Sequence, residues 1–503
     1  MSRVSRCVYD AAMDFEAMPI APGAQGLLGH LPGFRKERLK TLGLLSRQST
    51  PMMRLDIPVA GIRALALNHP DVVQEALVEK VKHFHKSDML RFGLYDLAGE
   101  GLFTSNGELW RRQRKLMAPL FTPRALEAYA TDMVACTRRT MEGWRDGEEL
   151  PLSRETTRLT MGIAGKTLFD ADTFSEADEI GHALTIALDW TGWIVGRPFA
   201  FAHVVLKRMA ERLAAHATGN VREALTRAEQ RFSRPVVHVG TRGRELSRAI
   251  AFLDEHVQRM IDDRRRTAGT GRADLLSRLL EAHDEDDGAK MSDRQVRDEV
   301  LTLFVAGHET TATGLAWTIY LLCKHPEVLA ATVREVDAVG DDPSVSDLPR
   351  LDLCLRVFKE ALRLYPPVYV FGRDSKDPIT LGGYDLPAPT NVLTSPWVLH
   401  HAARFWPDPE RFDPDRFRPE NEAARHRYAY LPFGAGPRIC LGNHFAYMEA
   451  QLALATMLRR YTFELLAEDE PEPGATLRPK HGVRVRVRRR THARAFVGEA
   501  VME

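Results

Sequence analysis

Cysteine is scarce in this chain: five in 503 residues, at Cys7, Cys136, Cys323, Cys354 and Cys440. The number is odd and no CxxC spacing occurs, which argues against a disulfide framework or a zinc knuckle. Charge of one sign is lacking as well, because 69 Lys and Arg stand against 68 Asp and Glu. No global field therefore draws the protein to nucleic acid or to an anionic membrane. Long apolar runs are missing too. The longest uncharged stretch without proline, Thr310 to Cys323, is shorter than the roughly 20 residues a bilayer span needs. Met1 to Glu16 carries Arg3, Arg6, Asp10, Asp14 and Glu16 in place of the apolar segment of a signal peptide. The expectation is a cytoplasmic protein with no membrane span and no nucleic-acid partner. Internal repeats, Ser/Gly linkers and a flavin or NAD fingerprint are also missing.

Helical patterns dominate what is present. The clearest runs from Ser292 to about Lys324, with Ser292 and Gln295 as a capping box and Pro326 beyond its end. At 1.5 Å per residue it spans roughly 48 Å, enough to be the buried axis of one large domain. A second runs from about Asp352 to Leu364 and stops before Pro366-Pro367. A third starts just beyond Cys440 and continues to about Arg460. Short β-like runs occur at Met53 to Asp56, Ala64 to Leu67 and Val483 to Val487, the last alternating apolar and basic residues like a solvated sheet edge. Between the second and third helices, Arg404 to Leu431 reads as a packed meander anchored by Phe405, Trp406, Phe412 and Phe417.

Chemistry concentrates around Cys440. The segment Phe433-Gly-Ala-Gly-Pro-Arg-Ile-Cys-Leu-Gly442 sets a cysteine behind a glycine-rich loop and ahead of a helix. Glycines let backbone approach a flat cofactor closely, and the positive end of the following helix stabilises a thiolate. A bare GxGxxxC is more often a structural turn. This one, however, matches FxxGxRxCxG, and on that match the chain resembles the cytochrome P450 family. The resemblance implies a mainly α fold with a small β portion over residues 21–490, flanked by an extension at 1–20 and a tail at 491–503. It implies haem b as cofactor, with Cys440 as the protein ligand of the iron, Phe433 beside the thiolate and Arg438 at a haem propionate. A thiolate ligand pushes electron density onto iron and favours O–O cleavage.

Further motifs follow in the family's order. Ala306-Gly-His-Glu-Thr-Thr311 lies in the long helix. His308-Glu309 is not a zinc HExxH, because Ala312 stands where the second histidine belongs. Glycine and threonine are poor mid-helix choices. By resemblance to AGx(D/E)T, Glu309 and Thr310 form an acid–alcohol pair for proton delivery, where the helix bulges to admit dioxygen. Glu360 and Arg363 form an ExxR, weak alone, which the resemblance makes a structural ion pair completed by Arg416. Trp110 and Arg114 resemble the family's WxxxR, and Arg373 a further propionate contact. Pro389 replaces the usual glycine of its turn, and residues 198–243 look longer than the lid region of soluble bacterial members.

These likenesses imply a haem-thiolate monooxygenase. It inserts one oxygen atom of dioxygen into a hydrophobic small molecule, with electrons from a separate ferredoxin or flavodoxin-type donor. Arg111, Arg112, Arg459 and Arg460, with the neighbourhood of Arg438, are expected to form a basic docking patch for that donor. Met89, Leu90, Phe92, Leu97, Phe304, Val368, Val370 and Val483 are candidates for an apolar pocket or for ordinary core. A haem-thiolate peroxygenase or isomerase, and a non-catalytic haem sensor, remain as alternatives.

Overall fold

The computed structural model describes residues 12–57, 62–174, 176–194, 197–232, 240–267, 274–281 and 291–491. Cys7, most of the expected extension and nearly all of the tail lie outside the described residues. In chain order, the helices that bear on the site are α1 (Asp88–Ala98), α2 (Gly107–Met117), α3 (Leu152–Phe169), α4 (Ala177–Ile194), α5 (Pro198–His216), α6 (Gly219–Phe232), α7 (Gly240–Arg266), α8 (Asp293–Lys324), α9 (Asp352–Leu364) and α10 (Asn443–Arg460).

The axis is α8, as its cap and length predict. The Ser292 side chain accepts the Gln295 N–H at 3.2 Å. The reciprocal half of the expected capping box, the Ser292 N–H donating to the Gln295 side-chain oxygen, is not formed. Nearly every residue from Val296 to Leu322 that faces α3, α9 or α10 is buried. Burial of such a face, and not the poor local propensity of its Gly and Thr residues, holds this helix together. The helix runs without interruption through Ala306–Thr311, so the bulge expected there does not appear as a break. Helix α9 ends at Leu364, ahead of Pro366-Pro367, as expected.

Eight strands matter here: β1 (Met52–Ile57), β2 (Ile62–Leu67), β3 (Phe84–Lys86), β4 (Glu149–Pro151), β5 (Phe371–Ser375), β6 (Asn391–Thr394), β7 (Tyr461–Leu465) and β8 (Arg484–Arg489). Five of them form one sheet in the order β1-β2-β6-β5-β3. The basic strand β8 is not a sheet edge. It is the middle of a three-stranded antiparallel sheet, between β7 and β4, and its arginines find Glu149 and Glu464 on those neighbours. Alternation hid this, since apolar-in and basic-out looks the same at an edge and in a middle strand whose outer face is solvated.

The region 198–243 holds two helices, α5 and α6, and the start of α7; residues 233–239 lie outside the described residues. The Ala388–Pro389 peptide is cis. The meander after β6 is packed as expected, with Trp406, Phe412 and Phe417 buried.

Candidate functional site

Cys440 sits between a tight loop and the start of α10. Gly434 and Gly436 hold φ of 72° and 68°. A Cβ on Gly436 would lie 2.0 Å from the Leu77 carbonyl oxygen, so only glycine lets the loop press against that backbone. The Cys440 N–H donates to the Phe433 carbonyl at 3.0 Å, and the Phe433 ring meets Tyr447 edge-on at 5.1 Å. The Cys440 side chain is exposed, yet surrounding protein desolvates the sulfur and raises its pKa. The Gly442 N–H and the Arg114 guanidinium pull the other way. A thiol both enclosed and accessible differs from the core thiols of this chain: Cys354 is fully buried, and burial pushes Cys136 and Cys323 up to about 12.

Cations converge beside this loop. Around the Trp110 ring stand Arg438 at 5.2 Å, Arg114 at 5.9 Å and Lys86 at 6.0 Å. Arg373 lies in register with Lys86 across β3 and β5. Burial and the nearby Arg438 lower Arg373 to about 10, and burial with Arg438 and Arg373 lowers Lys86 to about 6. Among the described residues none of Lys86, Arg373 and Arg438 has an ion-pair partner. Concentrating buried cations without acids is unfavourable unless a ligand supplies anions. A haem fits these residues: accessible sulfur for the iron, glycine-rich backbone for a flat ring, cations for two carboxylates. Arg114 is placed somewhat differently from its expected propionate role, because it donates to the Ile439 carbonyl at 2.9 Å and so braces the cysteine loop.

On α8, Thr310 donates to the Ala306 carbonyl at 2.7 Å. Glu309 turns to a different face of the helix, as the ~100° per residue of an α-helix requires. Its Oε1 accepts the Thr476 hydroxyl at 2.7 Å, and its Oε2 has no partner. Burial raises its pKa, against the smaller opposing pulls of Thr476 and Arg478. Beside it lies a cavity of about 470 Å³, lined mostly by α3, α4 and α8, with Thr157, Asp178, His182, Thr185 and Arg478 among its polar groups. The cavity adjoins Glu309 and not Cys440; with Glu309 bonded to Thr476 and Thr310 to its own helix, the acid and the alcohol share no hydrogen bond.

Beneath the loop, Glu360 and Arg363 are fully buried and pair through both guanidinium branches, at 2.7 and 2.8 Å. Arg416 approaches Glu360 at 3.4 Å, which completes the expected triad. Arg363 also donates to the carbonyls of His400, Pro409 and Arg411. The ion pair therefore ties α9 to the meander that leads into the cysteine loop.

Two expectations need correction. Arg459 is not a free docking charge, since it pairs with Asp337 and Asp341, and Arg111 pairs with Glu108 one turn away. Of the candidate pocket residues, Phe92, Leu97, Phe304 and Val483 are buried in the main core, whereas Met89, Leu90, Val368 and Val370 are only half-buried. Sequence reasoning also missed Lys86 and Thr476. Neither stands in a motif, and only three-dimensional packing sets them beside Trp110 and Glu309.

Comparison with known proteins agrees with this geometry. A family model described as cytochrome P450 matches residues 21–484. The chain is 34% identical over 465 residues to cyclooctatin synthase of Streptomyces melanosporofaciens, covering 92% of each chain. It is 33% identical over 471 residues to pentalenene oxygenase of Streptomyces avermitilis, covering 93% of this chain and 96% of the relative. Cyclooctat-9-en-7-ol 5-monooxygenase of Streptomyces melanosporofaciens is 34% identical over 465 residues, with 91% and 90% covered. The crystal structure of the cytochrome P450DA haem domain superposes with a TM-score of 0.76 at 28% identity, covering 94% of this chain and 98% of that one.

Proposed function

This chain belongs to the cytochrome P450 family and is a monooxygenase, and on that premise we propose that it oxygenates an apolar small molecule with haem b held by Cys440 and electrons from a separate ferredoxin or flavodoxin-type donor. The observation that carries the reading is the Cys440 thiol, accessible and flanked by Arg114, the Gly442 N–H and the positive end of α10. When bound, haem supplies activation of dioxygen, and a thiolate ligand favours O–O cleavage.

The protein's own residues do the rest. Trp110, Arg373 and Arg438 hold the haem carboxylates, arginine through its planar fork. Phe433 shields the sulfur, and Arg114 braces its loop. Glu309 serves as proton source: burial keeps its carboxyl protonated to higher pH than usual, and the polar cavity beside it gives water a way in. Water carries the proton from Glu309 round to Thr310, which hands it on, its hydroxyl exchanging its bond to the Ala306 carbonyl for one into the site. Among the described residues no helix is long and apolar enough to cross a membrane.

Relatives named for pentalenene and for cyclooctat-9-en-7-ol recommend those two compounds as first probes of the substrate, read by the spin-state change of the iron. The ligand assignment is tested by the reduced carbon monoxide complex. It should show the red-shifted Soret band of a thiolate ligand, and Cys440→Ala should lose it. Persistence of that band in Cys440→Ala would overturn the assignment.

A further inference from the structure

That reading leaves two buried acids of α8, Asp298 and Glu299, without a role. Glu299 is fully buried; its Oε2 accepts the Leu102 N–H at 2.9 Å and its Oε1 has no partner. Spacings of 7 and 11 residues put it on the same helix face as Ala306 and Thr310. The neighbouring Asp298, also buried, accepts the Glu100 N–H at 2.9 Å. Together they fasten the loop 99–105 to α8. Glycine makes the fit possible, since a Cβ on Gly99 would lie 2.1 Å from Asp298 and one on Gly101 2.2 Å from Thr302.

What this loop holds is Lys86. The Lys86 ammonium donates to the carbonyls of Leu102 and Ser105, at 2.6 and 2.7 Å. Leu102 thus gives its N–H to Glu299 and its carbonyl to Lys86. One more link joins the same cluster, because Asn106 Oδ1 accepts both the Lys86 N–H and an Arg438 guanidinium N–H, at 3.0 and 3.3 Å.

We propose that Glu299 is a positioning residue which, through Leu102, fixes Lys86 beside Trp110, Arg373 and Arg438, and that Lys86 is the cation of this group whose charge follows pH. The proposal rests on the haem-thiolate reading above. Arg438 keeps its proton at every working pH and Arg373, lowered to about 10, stays charged well below that value; a lysine held by two neutral carbonyls gives its proton up first. The titratable groups facing Lys86 are Arg438 from the cysteine loop, Arg373 from β5, Arg91 from α1 and, as sole acid, Glu299 from α8, whose own carboxyl burial pushes up to about 8. His85, its neighbour on β3, is lowered to about 4 by burial and Lys376, and stays neutral above that.

Burial and the arginines lower Lys86 to about 6. Two haem carboxylates beside it favour its charged form and raise that value towards the ordinary 10.5. The positive charge is thus present at the acid end of the interval between 6 and 10.5 and is lost as pH rises through it. A positive charge beside the haem carboxylates favours the reduced state, so reduction becomes harder as that charge is lost.

The test is the midpoint potential of the purified haem-loaded protein, measured by spectroelectrochemistry from about pH 6 to about pH 9, below the point at which Arg373 loses its proton. Wild type should fall with pH, with a limit of one proton per electron, a tenfold change per pH unit in the equilibrium constant for reduction. Lys86→Arg should lose the slope that belongs to Lys86; combined with Glu299→Gln, which removes the second titrating group, it should be flat at the wild-type acid value, and Lys86→Met with Glu299→Gln flat and more negative. If Lys86→Met takes up no haem, the comparison of Glu299→Gln alone, which should slope, with Lys86→Arg plus Glu299→Gln, which should not, still decides. Glu299→Ala should weaken or shift the pH dependence, and Glu299→Gln, which can still accept the Leu102 N–H, should restore it. A flat wild-type profile, or a Lys86→Arg slope equal to wild type, overturns the role of Lys86; a wild-type profile in Glu299→Ala overturns that of Glu299. The thiolate Soret band of the carbon monoxide complex, recorded on the same samples, separates these failures from failure of the haem-thiolate reading.

Discussion

Replacing Arg363 with methionine should be among the most damaging single changes in this protein. Arg363 makes two bonds to Glu360 and three to the backbone carbonyls of His400, Pro409 and Arg411, and its guanidinium lies 5.2 Å from the Trp406 ring. Methionine fills much of the volume and supplies none of the donors. Glu360 then stays fully buried with only the Asp413 N–H at 2.9 Å and the weaker Arg416 contact at 3.4 Å. Stranding a buried carboxylate costs about 3–5 kcal/mol, and three carbonyls left without donors add further loss. A domain has only about 5–15 kcal/mol in total, so the change removes a large share of it.

The charge and not the volume is the cause in this reasoning, which a second substitution can check. Glu360→Leu with Arg363→Met removes both charges and should be more stable than Arg363→Met alone. The pH dependence gives a further check. Burial pushes the Glu360 carboxyl up, while Arg363 pulls it down. Burial already outweighs that pull, and without Arg363 the folded-state pKa stands further above the unfolded value. The group then favours folding least when ionised, and stability is lost as pH rises. The deficit of Arg363→Met should therefore be larger at pH 8 than at pH 6, by guanidinium unfolding of the haem-loaded protein followed by Soret absorbance and circular dichroism. A single variant within 1 kcal/mol of wild type, or a double variant no more stable than the single, would refute the argument.

Other outcomes are expected on the proton side and the donor side. Thr310→Ala should keep its haem yet divert electrons from product to hydrogen peroxide; unchanged coupling counts against the role of Thr310. Thr476→Val keeps the side-chain shape but removes the hydroxyl that lowers the Glu309 pKa, so the pH profile of coupled turnover should move upward while substrate affinity, read by spin state, stays constant. Arg459→Glu breaks the pairs with Asp337 and Asp341 and should lower Tm through a loss of about 1 kcal/mol, without slowing reduction by an acidic donor; a slower, salt-sensitive reduction would return Arg459 to the docking surface.

The parts of this molecule that sequence revealed are those with local causes. Helix α9 was legible to the residue because prolines stop it and its apolar stripe is regular, and the Cys440 loop because glycine, arginine and cysteine are all required within ten positions. What escaped has causes distant in sequence. Thr476 reaches Glu309 across 167 residues, and Lys86 meets Trp110 and Arg438 only because β3 joins the sheet beside β5. Arg459 misled for the opposite reason: a terminal helix arginine looks solvated until α10 is seen to lie against the aspartates at 337 and 341. Lys86 shows the difference most plainly. A lysine in a short polar strand carries no local signal, and it acquires chemical meaning only when burial strips its water and the surrounding arginines leave it the first cation to give up its proton.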